Sequence, residues 1–278
     1  MVKIIRVFPS RNSYTPDDDM AFVGFPPLWI PEHDEVHISC TFTWDMDFCE
    51  DLAVAWSAVT EKPVKLGGVA YGSKCDAFTA GLYVKKGITF TSRGCNNNCP
   101  WCFVRAREGA ITELPITEGH IIQDNNILQT SREHQVKVFE MLQGQKQIEF
   151  RGGLEARLIT PWFAEKCAEL QEEHRMKALW LAADSDAAIE PLRKALEILK
   201  TAGYRITNNS IQVYTLSYGI DLGRDEERMR AVFDMGAMPR CQLYRAPSRK
   251  KTVYPVEVEQ WARIFQRPAL TKVHFRRV

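Results

Sequence analysis

Cys95, Cys99 and Cys102 stand within eight positions in the stretch GITFTSRGCNNNCPWC, a spacing that lets three thiolates reach one metal centre. The count of three is informative. An iron–sulfur cubane with a cysteine on every iron is a saturated electron carrier, whereas a missing fourth ligand leaves one iron open, much as an open zinc position marks a catalytic site. The spacing therefore predicts a [4Fe-4S] cluster with one open iron. A zinc knuckle is the alternative, but the nearest candidates for a fourth ligand, His120 and Cys75, sit at no standard zinc spacing. Asn96 to Asn98 read as turn formers between the thiols. Cys40, Cys49, Cys75, Cys167 and Cys241 are scattered without a second CxxC-type pair and read as small buried hydrophobes. Of these, Cys241 is the one candidate catalytic group, a hydrogen-atom donor if its strand turns it inward.

A loop of this kind needs a frame. KKGITFTS reads as the strand that delivers it, and from there strands and helices alternate. HIIQDNNIL, QIEFRGG, KALWLAAD, SIQVYTLSYG and RCQLYRA have strand character; SREHQVKVFEMLQ, PWFAEKCAELQEEH, EPLRKALEILKTAG and DEERMRAVFDMG have helical character, with Gly203 and Gly236 at helix stops. Six βα units of this order predict an α/β fold, a partial (β/α)6 barrel over residues 85–248, with working residues at the C-terminal strand ends. Residues 1–84 read as an N-terminal appendage: a short strand-like KIIRVF, an irregular Pro- and Asp-rich lead-in to about residue 34, then one βαβ unit (EVHISCTFTW, DFCEDLAVAWSAV, VKLGGVA). Residues 249–278 read as a basic C-terminal segment.

CxxxCxxC with an aromatic residue, Trp101, before the third cysteine, placed after the first strand of a βα repeat, resembles the radical S-adenosylmethionine (SAM) superfamily. The resemblance covers about residues 85–246. It is nearest to the elongator-type, methylthiotransferase and cobalamin-dependent branches and to short phage- and prophage-borne members. It implies that SAM chelates the open iron and that one electron then cleaves it to methionine and a 5′-deoxyadenosyl radical, which abstracts hydrogen from a substrate. A flavodoxin or ferredoxin would supply the electron. Members usually carry a Gly-Gly-Glu-like patch at the end of the second strand, against SAM's amino group. Here Gly152-Gly153-Leu154-Glu155 ends the third strand, while the second ends at Asp124, Asn125 and Asn126. Both strand ends are therefore expected to bind SAM, Glu155 at its ammonium and Arg157 at its carboxylate, the glycines letting the backbone approach closely. Trp101 is expected beside the adenine, Asp184 at the ribose and Tyr218 with Gly219 along the adenine. The N-terminal βαβ unit looks like part of a cobalamin-binding domain, but it is half the usual length and lacks Asp-x-His-x-x-Gly, so a vestigial packing unit is expected rather than a cobalamin site.

The chain of 278 residues has ordinary globular composition, no internal repeat and a net charge of +1. No run of about 18 apolar residues occurs, and MVKIIRVFPSR lacks a secretory h-region, which predicts a cytoplasmic protein away from membranes. From Arg240 onward ten Lys and Arg face only Glu257 and Glu259, a local excess of +8 interleaved with Tyr244, Tyr254, Trp261, Phe265 and Phe275. That end is either a solvated surface or a nucleic-acid footprint, with phosphate contacts and base stacking. A base in tRNA or phage DNA heads the substrate classes, ahead of a small metabolite or a peptide. The alternative of another class is a non-catalytic zinc- or cluster-bearing nucleic-acid binding module.

Overall fold

The computed structural model describes residues 2–72 and 83–276. Cys75 and Arg277 lie outside the described residues. The chain forms two compact units: 1–88 with 97–110 and 246–252, and 89–96 with 111–245 and 253–278.

The first unit is built on a four-stranded parallel sheet of β1 (Ile4–Phe8), β2 (Ala21–Val23), β3 (Glu35–Ser39) and, after α1 (Met46–Ser57), β4 (Val64–Gly67), in the order β2-β1-β3-β4. The strand expected at KIIRVF is present as β1, and the lead-in expected to be irregular after it contributes β2. The strand Ile4–Phe8 is central, because its inward Ile5 and Val7 pack with Val36, Ile38, Leu52 and Trp56 in one core. Trp56 donates its indole N–H to the Gly24 carbonyl at 3.2 Å, so a segment without regular structure is still pinned to the core. Residues 246–252 join this unit: Arg249 grips Glu50 at 2.8 and 3.0 Å and also Asp47.

The second unit holds a six-stranded sheet. Its members are β5 (Ile88–Thr89), β8 (Ile121–Ile122), β9 (Ile148–Leu154), β10 (Met176–Ala182), β11 (Ile211–Ser217) and β12 (Met238–Leu243), hydrogen-bonded in chain order. Two further two-residue strands, β6 (Ser92–Arg93) and β7 (Thr112–Glu113), lie between β5 and β8 in the chain and pair antiparallel with each other. From β8 to β12 every pairing is parallel. Parallel crossovers are right-handed, so a sheet whose spatial order equals its chain order carries its helices on one face. Those helices are α3 (Arg132–Leu142), α4 (Pro161–Glu172), α5 (Ile189–Thr201) and α6 (Leu222–Asp234). Their apolar stripes close a core with Ile122, Ile148, Phe150, Leu179, Leu181, Ile211 and Val213. Ser131, Thr160 and Asp221 cap three of them by accepting from His134, Phe163 and Arg224 N–H groups. The architecture is thus α/β with parallel sheets.

The basic end is not a separate segment. Helices α7 (Val256–Gln266) and α8 (Pro268–Arg276) fold onto β12, with Phe265, Phe275, Ala262, Met229 and Cys241 in one cluster. Phe265 and Phe275 are buried, Trp261 donates to Glu226 at 3.1 Å, and Tyr254 donates to the Tyr244 carbonyl. Rings committed to packing are not a stacking platform, so the expected base-stacking role of Trp261, Phe265 and Phe275 is withdrawn. The same cluster corrects the reading of Cys241: alternation along β12 turns it toward the helices α6 and α7, where burial pushes its thiol up to about 12. It has no access to a reacting substrate there. No helix among the described residues is long and apolar enough to cross a membrane.

Candidate metal and cofactor site

The thiols of the motif differ from the others in access. Cys95 and Cys99 are half-buried and Cys102 is exposed, whereas Cys40, Cys49, Cys167 and Cys241 are all buried. Burial disfavours a thiolate, and the Cys167 thiol is held well above its ordinary value by burial alone. Metal ligation needs thiolates that solvent and metal can reach, and the described cysteines that meet that condition are the three of the motif.

Cys95 belongs to the second unit, while Cys99 and Cys102 belong to the first; the intervening chain ties them together. Gly94, at φ +83°, turns the chain from β6 into Cys95. A tight turn joins the other two, the Cys102 N–H donating to the Cys99 carbonyl at 3.0 Å. Helix α2 (Val104–Glu108) follows. Among the described residues no three of His, Cys, Asp and Glu are already gathered around one point. The donor set itself fits an iron–sulfur cluster: three soft, accessible thiols in one short loop. Closing such a loop on its metal is part of the binding step.

Cys95 stands one residue from a polar network built on the next two strand ends. The Asn96 N–H donates to Gln129 Oε1 at 2.6 Å, and Gln129 Nε2 donates to Glu155 Oε2 at 3.3 Å. Asn126 Nδ2 donates to the same Glu155 oxygen at 3.0 Å, and Arg157 donates to the other. The ends of β8 and β9 therefore converge on one carboxylate, through which they reach the backbone of the cysteine loop. Glu155 keeps only 14 % of its side chain exposed. Asn126 leaves its Oδ1 buried with no hydrogen-bond partner, whereas buried polar atoms in proteins are as a rule satisfied. Gln129 escaped sequence reading because it follows the expected strand end inside a helical turn. The glutamine's only signal was its position three residues beyond Asn126. Asn96 is more than a turn former, since its Oδ1 also accepts from the Ile111 N–H at 3.1 Å.

Asp124 and Gly152 prove to have structural roles. The Asp124 carboxylate accepts from the Thr91 N–H at 2.6 Å, the Thr91 hydroxyl at 2.5 Å and the Ser92 hydroxyl at 2.7 Å. It is buried, and its carboxyl is raised because burial outweighs those bonds. Its oxygens hold the strand leading to Cys95 and are not offered to a ligand. At Gly152 a Cβ would lie 1.5 Å from the Asp124 carbonyl oxygen, so what approaches this glycine is the neighbouring strand and not a cofactor. Gly153, at φ +92°, has the Tyr214 ring 3.6 Å from its missing Cβ.

No protein-family model, curated protein or solved structure matches the chain.

Asn125, Asp184, Tyr218 and Gly219 follow β8, β10 and β11 in the second unit. Asn125 is half-buried beside Asn126, and Asp184 is half-buried after β10. Tyr218, 46 % exposed after β11, meets the Tyr244 ring at 4.9 Å, and its phenol is raised by partial burial and by Tyr244 and Asp184. Gly219 leaves no room for a ligand at its Cα: a Cβ there would stand 2.9 Å from Tyr254 and Val258. Trp101 is half-buried within the first unit.

Proposed function

We propose that this chain is a radical SAM enzyme whose Cys95, Cys99 and Cys102 hold a [4Fe-4S] cluster, leaving one iron for SAM. The observation that carries the proposal is the coincidence of the described chain's accessible thiols with the CxxxCxxC motif, at the first strand end of a row of parallel strands. We read that row as a partial (β/α)6 barrel, because six strands in chain order with helices on one face are what such a barrel requires. When bound, the cluster supplies the electron that cleaves SAM. The chain's own residues hold and orient the cofactor. Asn126 Oδ1, the buried acceptor lacking a donor, and Glu155 would accept hydrogen bonds from the SAM amino group, and Arg157, 65 % exposed, would pair with the SAM carboxylate. Gln129 couples that recognition to the loop through Asn96. A flavodoxin or ferredoxin is the proposed electron donor, and cobalamin has no role in this scheme.

Anaerobic reconstitution tests the proposal. Iron near four atoms per chain, with 5′-deoxyadenosine formed from SAM only when a reductant is present, is the expected result. Stoichiometric zinc with no SAM cleavage would leave a zinc-bearing binding module in its place.

A further inference from the structure

The face of the six-stranded sheet opposite α3 to α6 is polar and aromatic where a structural surface would be apolar or fully solvated. Glu149 is buried on it and saturated: Arg151 donates at 2.9 and 3.1 Å, Lys177 pairs at 2.8 Å and the Trp180 indole N–H donates at 3.1 Å. The indole is thereby fixed in orientation. Trp180 lies 5.0 Å from Tyr214, whose hydroxyl donates to the Arg151 carbonyl at 3.1 Å. Arg151 and Arg240 both sit over the Trp180 ring, at 5.7 and 5.5 Å from its centroid. None of these side chains belongs to the hydrophobic clusters that the helices close.

Glu149 is the one carboxylate on the strands β9 to β12, which also carry Arg151, Lys177 and Arg240. Arg240 is held by neutral groups. Its Nε donates to Gln212 Oε1 and its Nη1 to the Gln266 carbonyl, both at 2.7 Å and both neutral acceptors. Burial lowers its guanidinium from the ordinary value, and Arg151 adds repulsion. A half-buried cation held by neutral groups beside a second cation is costly unless an anion completes it. A phosphate supplies such an anion, and a fixed indole–phenol pair offers a planar partner. Arg151 on β9 precedes Glu155 by four residues, at most about 13 Å at 3.3 Å per residue. That is the length of a small substrate lying below the SAM end of the strands.

We propose that this face binds the phosphate of a nucleoside monophosphate at Arg240, with the base against Trp180 and Tyr214. The inference names the substrate class of the proposed radical SAM site and rests on that reading for its chemistry, but the binding needs neither cluster nor SAM.

The test is calorimetric titration of the full chain, without cluster or SAM, with AMP, GMP, CMP and UMP, each beside its nucleoside, and with inorganic phosphate. At least one nucleotide should bind about tenfold or more tighter than its nucleoside, the weight of a charge-assisted hydrogen bond, and tighter than phosphate alone. Arg240→Gln should remove that preference, while Arg249→Gln, whose partners are Asp47 and Glu50, should keep it. Equal binding of nucleotide and nucleoside, no binding at millimolar concentration, or an unchanged preference in Arg240→Gln would overturn the proposal. The wild-type comparison decides even if Arg240→Gln does not fold. Failure here leaves SAM cleavage in the absence of substrate untouched, so the two proposals fall separately.

Discussion

Gly152→Ala is the sharpest perturbation of the frame that carries the site. The added Cβ would stand 1.5 Å from the Asp124 carbonyl oxygen, 2.6 Å from its carbon and 3.2 Å from its nitrogen. Ordinary contact needs about twice the first distance, and the obstacle is backbone that cannot rotate away. The strand end bearing Asp124 must move, and with it the three bonds that the carboxylate makes to Thr91 and Ser92. Overpacking strain costs about 1–3 kcal/mol, and each of the three weakened hydrogen bonds adds about 1 kcal/mol, so a loss of about 4–6 kcal/mol is expected. In a chain of this size that lowers Tm by roughly 8–24 °C. Urea denaturation measures it directly, with Gly144→Ala as the control, because no atom lies within 4 Å of a Cβ there and its backbone is not left-handed. That control should stay within about 0.5 kcal/mol of wild type. A Gly152→Ala protein equally close to wild type would refute the role given to Gly152 and the strand-end geometry with it.

Three further outcomes follow from the same structure. Brief alkylation of the native metal-free protein, read site by site by mass spectrometry, should label Cys95, Cys99 and Cys102 well before Cys40, Cys49, Cys167 and Cys241; preferential labelling of the buried set would remove the argument from access. Stability should respond to acid with opposite signs at two carboxylates. Asp124 has a raised carboxyl, so it destabilises the fold at neutral pH and this penalty fades as pH falls through its folded value; Asp124→Asn should flatten that slope. Burial also opposes the charge of Asp186, but its bonds to Arg224 and Arg228 prevail and its carboxyl is lowered. Its stabilisation is present above its ordinary value of 3.8 and lost as pH falls through the folded one, so acid titration of Asp186→Asn should lack that loss. Gln129→Leu should weaken SAM binding about tenfold or more, by leaving Glu155 short of a donor, with little change in iron content; unchanged SAM affinity would cut Gln129 from the site.

Much of the second unit was legible in sequence because its signals are local. Hydrophobic period and helix stops placed β9 to β12 and the helices between them, and the count of strands put Gly152 on the third. What lay beyond reading was partnership. Asp124 and Asn126 are two residues apart at one strand end, yet Asp124 turns into Thr91 and Ser92 while Asn126 turns toward Glu155. No periodicity separates them. Cys241 and Arg240 are neighbours whose faces depend on which side of β12 the helices α6 and α7 cover. The C-terminal aromatics looked like a binding stripe because basic residues surround them, but their period is that of helices with a face to bury. The strand Ala21–Val23 was missed since three residues in a Pro- and Asp-rich stretch carry no pattern; only pairing with Ile4–Phe8 makes them a strand.

The proposed open iron can be tested directly. In the reconstituted, reduced protein, electron–nuclear double resonance with SAM labelled by 15N at the amino group and 17O at the carboxylate should show hyperfine coupling from both groups to the cluster. Cys95→Ser, Cys99→Ser and Cys102→Ser should each abolish the signal. A paramagnetic cluster that shows no coupling to either label, or a protein that takes up zinc in its place, would contradict the assignment of Cys95, Cys99 and Cys102 to a SAM-binding cluster.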